Sequence, residues 1–341
     1  MKSAVYHGPE DIGIEEAPKP EIGEDEVLVE MKACGVCGSD LMDWYLEKRA
    51  PLVLGHEPVG VVAEKGKRVK SFETGDRVFV HHHVADMTCH YCTHGDYTLC
   101  DQFHKTNIHP GGFSEYFRVP APNLQFDTLK VPDSVSDEEG TFIEPVGCCL
   151  RAAAKCDIRT GDAVAVIGAG TTGILHIALA RLFGAAHVIA SDIFDSRLEM
   201  AKKYNADIVV NPKTENVAEA VMSLTNGIGA DAVIITAPNL QAYETGLRIC
   251  RRGGRLCVFA PTPPEVHLNI SPKELFFSEV QIVPSYSTSH LETRTGLELI
   301  ASGRLNVEPL VTHRFPLERI ANAFKTARGD SKSLKVIVLN R

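Results

Sequence analysis

The chain has no cluster of lysine and arginine anywhere along it, and its 35 basic against 44 acidic residues leave a net charge of -9. Without a basic face, neither a nucleic acid nor an anionic membrane is the expected partner, and a small molecule is the better expectation. An internal repeat and a low-complexity segment are both lacking. The opening residues, Met1 to Glu10, contain no apolar core of the kind a secretory signal needs, which predicts a protein made and kept in the cytosol. A single run, Ala163 to Ala180, is uncharged and reaches the length of a membrane span. Its glycine turn divides it into a short strand and a helix, and Arg181 follows at once, so a span is not expected. What remains is ordinary: 341 residues, 44% hydrophobic and 23% charged, enough for two domains with a core each.

Ten cysteines in a cytosolic chain should be reduced, and clustered cysteines there bind metal more often than they pair. One cluster is Cys34-Gly35-Val36-Cys37-Gly38-Ser39-Asp40, followed shortly by Gly55-His56-Glu57. It supplies a thiolate, an imidazole, a hydroxyl and carboxylates within one short span. Catalytic zinc takes three such protein ligands and leaves a position open, a need that Cys37, His56 and one further carboxylate would meet. A redox reading of the Cys34/Cys37 pair calls for a βαβ context, whereas this pair lies among β-type runs. Cys34, Cys148 and Cys149 are expected to be packed small side chains.

Downstream, the strand-like Ala163-Val164-Ala165-Val166-Ile167 runs into Gly168-Ala169-Gly170-Thr171-Thr172-Gly173 and a helix-like segment. The first glycine permits a tight turn, the second lets a pyrophosphate approach the backbone, and the third lets helix and strand pack closely. A second apolar strand, His187 to Ser191, ends in Asp192, about 20 residues beyond the glycines, where a carboxylate would accept from a ribose 2′-hydroxyl. Candidate cofactor contacts are Gly168, Gly170, Thr172, Gly173 and Asp192, with Arg197 the one nearby cation. Short β-type runs separated by Gly, Pro and acidic turns fill the chain up to about Arg118; after Glu144, strands alternate with helices, which predicts a parallel sheet covered on both faces.

With Gly75-Asp76-Arg77-Val78, Gly111-Gly112-Phe113-Ser114-Glu115-Tyr116 and the Glu144-Pro145 pair added, the chain resembles, over nearly its whole length, the zinc-dependent medium-chain alcohol dehydrogenases, in the polyol (sorbitol-like) and threonine dehydrogenase branch. The resemblance implies an α/β protein with a β-rich GroES-like catalytic domain over residues 1–148, completed by 290–341, and a Rossmann domain with a doubly wound parallel sheet over 149–289. It implies zinc and NAD as cofactors, an alcohol as the small-molecule substrate, and a homotetramer or homodimer. Cys37 and His56 become zinc ligands, and Glu57 a ligand or a close carboxylate that enters when water leaves. Glu144 stands where simple alcohol dehydrogenases have a second cysteine, and is expected near the metal directly or through a water. Thiolate and carboxylate carry the same formal charge, so that exchange alters ligand softness and not net charge.

On the same resemblance, zinc makes the alcohol easier to deprotonate and its carbinol carbon passes hydride to the nicotinamide. Ser39 is the first proton acceptor, and Asp40 accepts from the free ring nitrogen of His56. Relatives often carry a histidine five residues after the ligand cysteine; here Met42 stands there, leaving water or the cofactor ribose to carry the proton out. Asp86-x2-Cys89-x2-Cys92-x7-Cys100 resembles the family's structural zinc loop, with Asp86 in the first position. His90 and His94 lie off that register. The run His81-His82-His83 ends a β-type stretch, so its side chains should alternate faces, with one of them at the substrate cleft. Two other functions compete: a zinc-free, NADPH-dependent reductase of the same superfamily, against which Cys37, His56 and Glu57 argue, and a non-catalytic dinucleotide-binding protein. The substrate itself depends on loops around Met42 to Leu46, Asn107 to Gly112 and Pro284 to His290.

Overall fold

A computed structural model of the chain describes residues 1–340, which divide into two compact units. One comprises Met1–Gly147 together with the segment from Ser287 onward, and the other is Cys148–Tyr286.

The first unit is built on β-structure. Its main sheet has seven strands, in the order Val311–Pro316, Lys335–Leu339, Val27–Gly35, Glu57–Lys65, Arg77–Val80 and Thr128–Lys130, with Tyr116–Val119 also paired to Val27–Gly35. Val27, Val29 and Met31 alternate on one face and pack with Val62, Val78, Phe117 and Val336 in a common core, the pattern of a strand with period two. The helix Ile320–Gly329 closes this core with Ile320, Ala323 and Phe324, and the Phe324 ring meets Phe113 edge-on at 5.8 Å. Register matters most at Gly35, which pairs with Glu57 on one side and Ile337 on the other. Lys335 lies two residues before Ile337 on the same strand face, so Glu57 and Lys335 can meet over Gly35.

The second unit carries a six-stranded sheet in the order Ile208–Val210, His187–Ser191, Ala163–Ile167, Ala230–Ile235, Cys250–Val258, Gln281–Pro284. Every neighbouring pair is parallel. Counted along the chain the order is 3-2-1-4-5-6, the doubly wound Rossmann arrangement. Such a sheet is buried on both faces, which is why Ala163–Ile167 reads as an unbroken apolar run and is buried throughout. No helix among the described residues is long and apolar enough to cross a membrane.

Candidate active site and metal centres

Cys37, His56 and Glu57 each offer a donor atom, and these atoms all lie within 4.8 Å of one another. The short helical turn Gly38–Leu41 places them. Asp40, buried at its third position, accepts from the Cys37 backbone N–H at 3.0 Å through Oδ2. Its other oxygen, Oδ1, lies 3.4 Å from His56 Nδ1, while His56 Nε2 lies 3.4 Å from Ser39 Oγ. One carboxylate thus fixes both the turn that carries the thiol and the ring that faces it. Burial disfavours a charged imidazole at His56, but Asp40 and then Cys37 override it and hold the pKa well above the usual histidine range. Thiolate, imidazole and carboxylate within this span are a zinc donor set.

Glu57 is fully buried. Its Oε2 accepts from Lys335 Nζ, itself only 3% exposed at the side chain, while Oε1 is buried without a partner. Burial pushes the Glu57 pKa up and Lys335 opposes that rise; on the lysine, burial is outweighed by the attraction of Glu57 and the pKa is raised. A Cβ at position 35 would fall 1.9 Å from Glu57 Oε2 and 2.6 Å from Lys335 Cε, so only glycine lets the pair cross that strand. Glu144 is also buried and acts electrostatically on both partners, but its carboxylate is not among the three groups that converge.

Asp86, Cys89, Cys92 and Cys100 form a second convergent group within 4.8 Å. Asp86 Oδ1 accepts from the backbone N–H groups of Thr88 at 2.7 Å and Cys89 at 2.8 Å, which folds the loop before any cation arrives. Those two bonds hold the carboxyl well below the usual carboxylate range. Burial, then the neighbouring Cys89, pushes the Cys92 thiol up to about 12, a thiol that a bound cation would deprotonate. The donors fit zinc, and His90 and His94, exposed and stacked 4.3 Å apart, are outside the group. Asp86→Ala is expected to lower the melting temperature and to remove one zinc per chain while the other stays; Asp86→Cys should hold zinc more tightly. Metal analysis beside a thermal melt checks this, and an unchanged melting temperature with unchanged zinc would remove the lobe as a metal site.

In the second unit, the helix Thr171–Leu182 starts directly after the glycine turn. Gly168 has φ +103°, and a Cβ there would meet Thr236 Oγ1 at 2.4 Å; a Cβ on Gly173 would meet Gly168 O at 2.0 Å. At Gly170, by contrast, the nearest atom to a Cβ is Arg197 Nη1 at 4.0 Å, which leaves the room that a pyrophosphate requires. Asp192 is 7% exposed, and its two oxygens accept from Ala169 N at 2.8 Å and Phe194 N at 2.9 Å. Arg197 lies 3.7 Å from Asp192 and covers the Phe194 ring. Thr172 occupies the second helical position. The turn and the acidic strand end fit a dinucleotide whose pyrophosphate meets the helix N-terminus and whose ribose meets Asp192.

Two features escape the sequence reading. Lys335 is a lone cation in the apolar strand Lys335–Leu339, a signal that a buried partner was required. The histidine run does not alternate as a strand would, because the strand stops at Val80. His81 is fully buried and donates from Nδ1 to Asp127 Oδ2 at 2.8 Å, whereas the His82 and His83 rings lie together at 3.9 Å. His82 also lies 4.9 Å from the His56 ring. Burial, then the neighbouring imidazoles, keeps the His82 pKa well below the usual histidine range. Cys34 is fully buried in the core, the packed small side chain expected of it, and burial pushes its thiol well up, the opposite of a reactive thiolate.

A Rossmann sheet with a glycine turn, in one chain with a β-rich unit holding two zinc-type donor sets, defines a zinc-dependent dehydrogenase. The alcohol dehydrogenase GroES-like domain matches residues 23–133, and the zinc-binding dehydrogenase domain matches 171–302. The chain is 35% identical to the sorbitol dehydrogenase of Bacillus subtilis over 99% of its length and 97% of that protein's. It is 31% identical to the L-threonine 3-dehydrogenase of Alteromonas mediterranea, covering 99% of each chain. Among solved structures, the alcohol dehydrogenase of Thermus sp. ATN1 superimposes with a TM-score of 0.88 at 29% identity, over 100% of both chains. The chain belongs to the zinc-dependent medium-chain alcohol dehydrogenase family, and is an oxidoreductase of its polyol and threonine dehydrogenase branch that uses zinc and a nicotinamide dinucleotide.

Proposed function

We propose that this enzyme transfers a hydride between NAD and the secondary carbinol of a polyol, cyclitol, sugar or amino alcohol. The observation that carries the reading is the convergence of Cys37, His56 and Glu57 within 4.8 Å. In this reading Cys37 and His56 hold the catalytic zinc, Glu57 or Glu144 completes or backs the site, and Asp86, Cys89, Cys92 and Cys100 hold a structural zinc. When bound, zinc supplies Lewis acidity that makes an alcohol hydroxyl easier to deprotonate, and NAD supplies the hydride acceptor. Ser39, half-buried beside His56, takes the hydroxyl proton at Oγ as it passes its own proton on to water or the cofactor ribose. Asp40 fixes the His56 ring through Nδ1, which keeps Nε2 as the ligating nitrogen. Gly168, Gly170, Thr172 and Gly173 seat the dinucleotide, and Asp192 receives its ribose. A screen of polyols, inositols, aminocyclitols and threonine, followed by NADH absorbance, tests the reading; no turnover of any of them would overturn it.

NAD is expected to be preferred to NADP, because the Asp192 carboxylate at the strand end repels a 2′-phosphate. Arg197, 3.7 Å from Asp192, weakens the preference, and Lys213, 5.7 Å from the Phe194 ring, adds a second positive charge nearby. The ratio of kcat/KM for the two cofactors measures it, and equal or better use of NADP would refute the assignment of Asp192.

A cytosolic homodimer or homotetramer completes the reading. All ten cysteines are free, as a reducing compartment requires. Phe276 and Phe277, 75% and 71% exposed on the helix Pro272–Ser278, offer an apolar surface of the kind that subunits cover.

A further inference from the structure

The three imidazoles of His81-His82-His83 have separate fates. His81 is spent: its Nδ1 donates to Asp127 Oδ2 at 2.8 Å, and Asp127 Oδ1 accepts from Thr293 Oγ1 at 2.7 Å, all three residues being fully buried. His83 donates from Nδ1 to the Thr106 carbonyl at 2.6 Å and packs on Phe103 at 5.1 Å. His82 alone has no ring hydrogen bond, and its Nδ1 is buried without a partner. Its ring is also the one that touches His56, at 4.9 Å.

The backbone around it is held firmly. Asn123 Nδ2 donates to both the His81 carbonyl at 2.9 Å and the His82 carbonyl at 2.8 Å, and His81 N–H donates to Asp127 O at 3.0 Å. Such clamping fits a ring aimed at a ligand, because a group that must read a substrate has to be held before the substrate arrives. The ring nitrogens of an imidazole donate or accept hydrogen bonds, which matches a hydroxyl group and nothing apolar. His56 would hold the zinc that takes the substrate hydroxyl, and the His82 ring lies 4.9 Å from the His56 ring, so a second hydroxyl on the neighbouring carbon is the substrate group placed to meet His82.

We propose that His82 is a specificity-determining residue: its ring hydrogen-bonds a hydroxyl on the carbon adjacent to the one oxidised, so the site selects a vicinal diol over an isolated secondary alcohol. The inference rests on the alcohol dehydrogenase reading above and sharpens its substrate class. A buried polar group left unpaired discriminates strongly against a substrate that cannot satisfy it.

Butane-2,3-diol and butan-2-ol share a carbon skeleton and differ by the hydroxyl in question. The wild type is expected to favour the diol in kcat/KM by at least about tenfold. His82→Phe keeps a flat ring and loses the nitrogens. It should bring that ratio close to unity, chiefly by raising KM for the diol, with zinc content and NAD binding unchanged. Binding of the diol to the enzyme–NADH complex, measured by calorimetry, should weaken in parallel, and His82→Gln should recover part of the preference. Oxidation of both alcohols with a ratio unmoved by His82→Phe would overturn this inference alone. No turnover of any secondary alcohol by the wild type would overturn the dehydrogenase reading and this inference with it. If both variants lose the fold, His82 is a structural residue and the proposal fails.

Discussion

Cys37→Ser and His56→Ala are each expected to abolish alcohol oxidation, lowering kcat/KM by about a thousandfold or more, while NAD binds within about twofold of wild type. The reason lies in the chain's division of labour. The convergent donors belong to the unit built from Met1–Gly147 and the segment from Ser287 onward, whereas the glycine turn and Asp192 belong to Cys148–Tyr286. Removing one donor leaves a chelate too incomplete for zinc and leaves the parallel sheet untouched. Glu144→Ala should have a smaller effect, since its carboxylate stands off the convergent group. Steady-state kinetics beside calorimetric titration with NAD make the check. Near-wild-type turnover by a zinc-free Cys37→Ser protein would refute the metal-based reading.

The second large effect is on stability. Lys335→Met removes the cation from a fully buried pair and strands the Glu57 carboxylate in the core. Breaking such a pair from one side costs about 3–5 kcal/mol, because the remaining charge is neither solvated nor balanced. Gly35→Ala should be damaging for a related reason, as the added carbon collides with both partners. Replacing both members, Glu57→Gln with Lys335→Met, should recover much of the loss, since the stranded charge is then gone. Urea unfolding of the two single variants and the double variant, all stripped of metal, measures the coupling. A Lys335→Met protein as stable as wild type would mean that the pair does not hold this part of the sheet.

Much of this was legible in the chain because it is local. The apolar run Ala163–Ile167, the glycines after it and the carboxylate of Asp192 lie within about 30 residues, the span over which a βαβ unit writes itself into sequence. The spacing of Asp86, Cys89, Cys92 and Cys100 is likewise local, and the structure brings those four donors together. What escaped depends on long-range register. Lys335 meets Glu57 across 278 residues, through the pairing of Gly35 with Glu57 and with Ile337, and no periodicity encodes that. The histidine run is legible only in part: the sequence points one of its rings at the substrate cleft but does not say which, because the ladder ends at Val80 and Asn123 takes over the backbone carbonyls, so side-chain direction follows tertiary contacts. Glu144 is buried and acts electrostatically on Glu57 and Lys335 without joining the donors that converge, an arrangement that a place near the metal through a water accommodates.

The most direct test of the central claim is the rate of NADH formation from a polyol substrate as metal is removed and restored. Purified protein is dialysed against a chelator strong enough to strip the Cys37 and His56 site, and zinc is then returned in measured amounts. Activity is expected to fall with the loss of zinc while NAD remains bound, and to return in proportion to zinc restored at that site. Undiminished NADH formation by protein shown to contain no metal would contradict it.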